Sequence, residues 1–89
     1  MYVEADAVTF DTQNNRVIVG NVAIYYNGSL LLAGQVIDDR NVNEVVAEGN
    51  VLLRTPEGST TRGDRLRLSD DYRDTFRRVL IQHGAALRQ

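Results

Sequence analysis

Few side chains in this sequence could do covalent or metal chemistry, and their spacing argues against it. His83 is the single histidine and there is no cysteine, so thiol catalysis and thiolate metal binding are both excluded. A histidine without a nucleophile or second ligand beside it reads as a surface residue. Asp70, Asp71 and Asp74 form the densest acidic group. A calcium loop needs about six ligands at fixed spacing, a central glycine and a terminal glutamate. Tyr72 and Arg73 interrupt the group, so it reads as a solvated turn, as does Asp38-Asp39. No glycine-rich loop opens a helix, which excludes a nucleotide cradle. The expectation is a protein without catalytic residues, metal or cofactor.

The arginines are the other candidates. All ten basic residues are arginine, and residues 1–60 carry eight acids against three of them. Residues 61–89 reverse that balance with four acids against seven arginines: Arg62, Arg65, Arg67, Arg73, Arg77, Arg78 and Arg88. Arginines alternating along an exposed strand could meet phosphates of a lipid headgroup or of nucleic acid. Their simpler role is to pair with local acids and discourage edge-to-edge aggregation. No nucleic-acid partner is expected, because the whole chain is acidic with a pI near 5.2 and its aromatics are not interleaved with the arginines.

The elements that must position these groups are strands. Val17-Ile18-Val19, Val22-Ala23-Ile24-Tyr25-Tyr26, Val45-Val46-Ala47, Val51-Leu52-Leu53 and Val79-Leu80-Ile81 are short β-branched or aliphatic clusters. Asn27-Gly28 signals a type I′ hairpin, and Pro56-Glu57-Gly58 a second turn. The polar runs 11–15, 38–43 and 69–74 are read as strand connections, and Ser69–Phe76 as a turn rather than a helix. At 89 residues there is one domain, 43% hydrophobic and 25% charged, with no apolar run long enough for a membrane helix. So small a domain buries only about 60% of its unfolded surface and invites self-association.

The pattern repeats. Residues 5–11 (Ala-Asp-Ala-Val-Thr-Phe-Asp) correspond to 33–39 at an offset of 28, and 63–69 re-enter the pattern. Between them, 17–24 correspond to 45–53, with Gly20-Asn21 and Gly49-Asn50 standing 29 residues apart. Val17 and Val19 share one face while Val22, Ile24 and Tyr26 share the opposite parity, so each Gly-Asn pair is expected to kink its strand. Ala33-Gly34 and Arg62-Gly63 are expected to bend the strands at the opposite corner. Leu66 and Leu68 then face inward and Arg65 and Arg67 outward. The expected result is a V-shaped β-roll with an apolar seam.

These residues resemble the OstA-like family of lipopolysaccharide-transport proteins, which includes LptA and the N-terminal domain of LptD. The family pattern Ala-Asp-x-Val-x-Tyr/Phe-Asp, a turn, then Val-x-Ala-x-Gly-Asn-Val is met at 5–11 with 17–24, and again at 33–38 with 45–53. The stretch 63–74 looks most like the periplasmic jelly-roll domain of LptD. Mild departures are Val19-Gly20-Asn21 and Ile37-Asp38. The resemblance implies an all-β jelly roll, or β-taco, in the periplasm at the outer membrane. It also implies that acyl chains of lipid A run inside, that modules join by edge-strand pairing, and that the chain is one piece of a longer protein.

On that reading the groove is lined by Val8, Phe10, Val17, Val19, Val22, Ile24, Tyr26, Leu30, Leu32, Val36, Val45, Val51, Leu53, Leu66 and Leu68. A second reading makes the interior a closed core and places function at the edges, residues 2–10 and 77–81. A third is a cytoplasmic solenoid scaffold.

Overall fold

A computed structural model describes residues 2–87 of the chain, with side chains through Gln82. The side chain of His83 and the whole of Arg88 therefore lie outside the described residues. The elements are β1 (Tyr2–Glu4), β2 (Ala7–Asp11), β3 (Arg16–Tyr26), β4 (Ser29–Asp39), β5 (Glu44–Arg54), β6 (Thr60–Arg67) and α1 (Asp70–Leu87). All six strands form one antiparallel sheet in the order β1-β3-β4-β5-β6, with β2 also pairing β3. Among the described residues the class is all-β with a single helix.

The turns form where the sequence places them. Asn27 and Gly28 take φ of 51° and 82° and join β3 to β4 directly beside the Tyr26–Ser29 pair, as a two-residue hairpin requires. After β5, the Gly58 amide donates to Thr55 O at 2.9 Å around Pro56. The turns after β2 and β4 end on Asn15 and Asn43, both left-handed. They are tied together: Arg40 N donates to Asn15 O (3.1 Å), Asn41 Nδ2 to Asn14 O (3.0 Å), and Asn15 Nδ2 to Asn41 Oδ1 (3.3 Å).

A line of left-handed backbone marks β3 and β5 at mid-length. Asn21, Gly49 and Asn50 have φ of 49°, 82° and 49°. Register places Gly34 in this line, because Gly20 pairs Gln35 and Val22 pairs Ala33. The short strands β1 and β2 break at the same level, where Asp6 N donates to Gly20 O and Asn21 Nδ2 donates to Asp6 Oδ2 at 2.6 Å. The step at Arg62-Gly63 also falls here, since Val51 pairs Gly63 and Glu48 pairs Arg65. The expected opposite corner at Ala33-Gly34 and Arg62-Gly63 is thus corrected: antiparallel pairing brings those glycines beside the Gly-Asn pairs, and there is one bend line.

Across this line the inward face changes parity in β3 and β4 but not in β5. In β3 the buried positions run Val19 then Val22, and in β4 Ala33 then Val36. In β5 they run Ala47 then Val51, because the register shift between Glu48 and Val51 adds a bulged residue. The second unit therefore keeps odd parity throughout, unlike the first. Both halves of the sheet send apolar side chains into one cluster, with Ile24, Leu31, Val36, Val45 and Ala47 at 0% exposure. Each such large aliphatic group contributes about 1.5–3 kcal/mol by leaving water.

Two expectations fail in β4. Leu30 and Leu32 do not face the core; Leu31 and Ala33 do. Leu32 pairs with Ala23 and Leu52, and Leu30 with Tyr25 and Arg54, on the other face of the sheet. The Asn27-Gly28 turn fixes this register, whereas a run of three leucines carries no alternation of its own.

The C-terminal strand Val79-Leu80-Ile81 is also corrected, together with the reading of 69–74 as a turn: both belong to α1. Arg73 N donates to Ser69 O at 2.7 Å, closing the first turn, and Asp70 and Asp71 sit where the helix dipole favours negative charge. Tyr72 stacks on Phe76 at 5.8 Å, and Phe76, Val79 and Leu80 recur at helical spacing toward the core. An edge strand at 77–81 therefore does not exist.

Gly34 and Gly49 pass each other closely. A Cβ on Gly34 would lie 3.3 Å from Glu48 O and 3.5 Å from Gly49 Cα, and Gly49 itself is left-handed. Gly20 has open space around its Cβ direction and no positive φ. Gly49→Val is expected to cost about 2–3 kcal/mol in urea unfolding, through left-handed strain and contact with Gly34. Gly20→Ala should change stability by less than about 1 kcal/mol. Equal losses in the two variants would remove the bend line from the account.

Candidate functional site

Two polar residues are buried in this sheet, Ser29 at the start of β4 and Asp38 near its end, and Asp38 is the charged one. Its position in β4 pairs with Val17 and Val45, so its carboxylate points into the concave side and its residue is only 6% exposed. An isolated carboxylate there would be strongly disfavoured, so it must be paired. Arg77, on α1, supplies the pair: Nε donates to Oδ1 at 3.0 Å and to Oδ2 at 3.1 Å. Nη2 lies 2.9 Å from Oδ1 without the alignment of a hydrogen bond. Arg77 Nη1 donates to Asn43 Oδ1 at 2.7 Å, and Arg73 Nη1 to Asn43 O at 3.3 Å. Two helix arginines thus fasten α1 to the end of the sheet.

Arg40 approaches the same carboxylate more loosely. Its Nε is 3.6 Å from Asp38 Oδ2, and its side chain is 46% exposed against 21% for Arg77. Nearby, Asp11 accepts from Asn14 and from Arg16 at 3.1 Å. The Asn14 bond first, and Arg16 second, hold the Asp11 carboxyl below its ordinary value of 3.8.

Between this cluster, β2 and α1 lies a cavity of about 270 Å³. Val8, Phe10, Val17, Val19, Val36, Leu80 and Ile81 form its apolar wall, and Asp38, Arg40 and Arg77 its polar end. Phe10 and Ile81, 45% and 50% exposed, stand among the lining residues as large apolar groups reaching solvent. Pockets for drug-sized ligands span about 300–1,000 Å³, so this one has room for a single apolar tail and not for several.

Comparison with family models, with characterised proteins and with solved structures returns no match. The chemistry of the site therefore rests on its own geometry.

Of the residues expected to line a groove, Val8, Phe10, Val17, Val19 and Val36 meet at the cavity. Val22, Ile24, Val45, Val51, Leu53 and Leu68 are packed core, with Tyr26 and Leu66 half-buried against it. Leu30 and Leu32 face the other way. Leu80 and Ile81 reach the site from the helix, which the strand reading of that segment concealed. Asp38, Arg40 and Arg77 were missed as a site, and the polar turn expected at Asp38 is corrected to a buried strand position. Asp38 does share the parity of Val36, two residues before it, which was a signal for an inward carboxylate.

The clamp makes a separable prediction. Asp38→Ala leaves the Arg77 guanidinium partly buried without its carboxylate and should cost about 3 kcal/mol. The double variant Asp38→Leu/Arg77→Met should lose less than that single variant, because both desolvated charges disappear together. Denaturant unfolding of both, with hydrogen exchange along α1, reads the difference.

Proposed function

We propose that the folded sheet is one jelly-roll unit of a periplasmic lipopolysaccharide-transport system, of the OstA-like kind, and that it carries an acyl chain of lipid A on its concave side. The observation that carries this reading is a bent sheet whose inward face is apolar and incompletely filled, leaving the cavity between β2 and α1. Burying a single alkyl tail there would gain about 0.8 kcal/mol per methylene. The recurrence of left-handed asparagines at Asn15 and Asn43, and at Asn21 and Asn50, 28 and 29 residues apart, supports a repeated hairpin as the building block. The work of such a unit is to shield apolar surface during transfer.

Docking to neighbouring jelly rolls of the same family, or to a second copy, would use the sheet edges. Among the described residues β6 pairs only β5 and is exposed over most of its length, while β1 and β2 pair only β3. Strand addition at such edges satisfies backbone groups that water otherwise solvates. A docking module with a closed core is the second reading, favoured by the complete burial of Ile24 and Leu31 in the other half of the bend.

A photo-crosslinking amino acid separates the two. Placed at Val17 in the cavity wall it should capture lipopolysaccharide, whereas at Ile18, on the other face of β3, or at exposed Arg65 it should not. Capture at Ile18 and Arg65 equal to that at Val17 would leave the closed-core docking module as the better reading.

A further inference from the structure

The polar end of the cavity carries a charge that its own carboxylate does not balance. Arg40 and Arg77 share Asp38, the single acid among the lining residues. Arg77 is held by two bonds to that carboxylate and a third to Asn43, and is committed. Arg40 is not. Its 3.6 Å approach to Asp38 is too long for a hydrogen bond, and nearly half of its side chain faces water. Asp11 is paired with Arg16 and accepts from Asn14, and Asp39 accepts from the Asn41 backbone amide. One exchangeable arginine therefore stands where the apolar wall meets solvent.

We infer that the cavity between β2 and α1 is an oriented site for one alkyl chain bearing an anionic headgroup, the headgroup held by Arg40 and the tail lying along Val8, Val17, Val19, Val36 and Leu80. It deepens the proposed lipid-carrying reading by naming the ligand class and its polarity. A guanidinium presents a planar fork that matches a carboxylate or a phosphate monoester, so either headgroup satisfies the geometry. Asp38 has two functions in this arrangement. It neutralises Arg77 so that the helix can pack, and it repels an anion from the deeper end, leaving the headgroup at Arg40. The volume restricts the ligand to one tail.

Dodecanoate, dodecyl phosphate and neutral dodecyl maltoside, each below its micellar concentration, test this by calorimetric titration at low salt. Both anionic probes, or whichever of them carries the native headgroup chemistry, should bind roughly tenfold tighter than the maltoside, as expected for one charge-assisted bond. Tighter binding of the phosphate assigns a lipid phosphate as the source, and of the carboxylate a fatty acid. Arg40→Gln should abolish the preference while leaving maltoside affinity unchanged, and Arg40→Lys should retain part of it. Raising salt should shrink the preference in the parent chain and not in Arg40→Gln. Equal affinity for all three probes would overturn the headgroup assignment and leave the apolar cavity standing. An Arg40-dependent preference without lipopolysaccharide capture at Val17 would do the reverse, overturning the proposed cargo alone. Circular dichroism checks that the Arg40 variants keep the fold, and no binding of any probe would overturn both.

Discussion

The whole structure depends on the close passage of β4 and β5 at the bend line, where Gly34 and Gly49 meet backbone to backbone. A flat antiparallel sheet of five or six strands has two faces, and a chain this short cannot cover either with a second layer. Bending the sheet at mid-strand makes its two halves the layers of one core. At that level Asn21 in β3 and Gly49 and Asn50 in β5 take left-handed backbone; the buried positions of β3 and β4 change parity there, while β5 keeps its own through a bulge. Asn21 also reaches Asp6 across the bend, tying the broken edge strand to the same line.

Folding a sheet on itself leaves an open side, and the two halves fill it differently. In one half, Ile24 and Leu31 are fully enclosed by their neighbours. The other half opens as a cleft beside β2, and α1 adds Phe76, Val79 and Leu80 to the common cluster. The helix covers part of that cleft and leaves the cavity beside β2. Its attachment combines apolar packing with the Arg77–Asp38 pair, whose desolvation offsets much of its own attraction. Such a pair adds little net stability. It fixes where the helix sits, because any other register would strand a charge.

This arrangement gives the cavity a direction, with branched aliphatic side chains along its wall and guanidinium groups at one end. Asn41 ties its turn to Asn14 of the neighbouring hairpin, and Asn43 of that same turn receives Arg73 and Arg77, so the polar end of the site is continuous with the stacked turns. Sheet curvature, helix position and electrostatics at the opening are therefore coupled through a few residues near Asp38 and Asn43.

The sequence by itself determined the strands β3 and β5, the Asn27-Gly28 hairpin and the bends at Gly20-Asn21 and Gly49-Asn50. These depend on local backbone preference: β-branched residues extend the chain, and asparagine or glycine accepts positive φ wherever it stands. It also placed Val8, Phe10, Val17, Val19 and Val36 on one side, because alternation about a known bend is a local property. Only the tertiary structure decided which face Leu30, Leu31 and Leu32 present, since a uniformly apolar run has no parity until a partner strand sets its register. The helix at 79–81 did have a local signal, since Tyr72, Phe76, Val79 and Leu80 stand at i, i+4, i+7 and i+8, but three consecutive aliphatic residues read alone suit a strand equally. The site followed the same rule. Asp38 and Arg77 stand 39 residues apart, and no local signal links an acid in a strand to an arginine in a helix. Their pairing arises because the fold brings both to one dry place, where neither charge is tolerated alone.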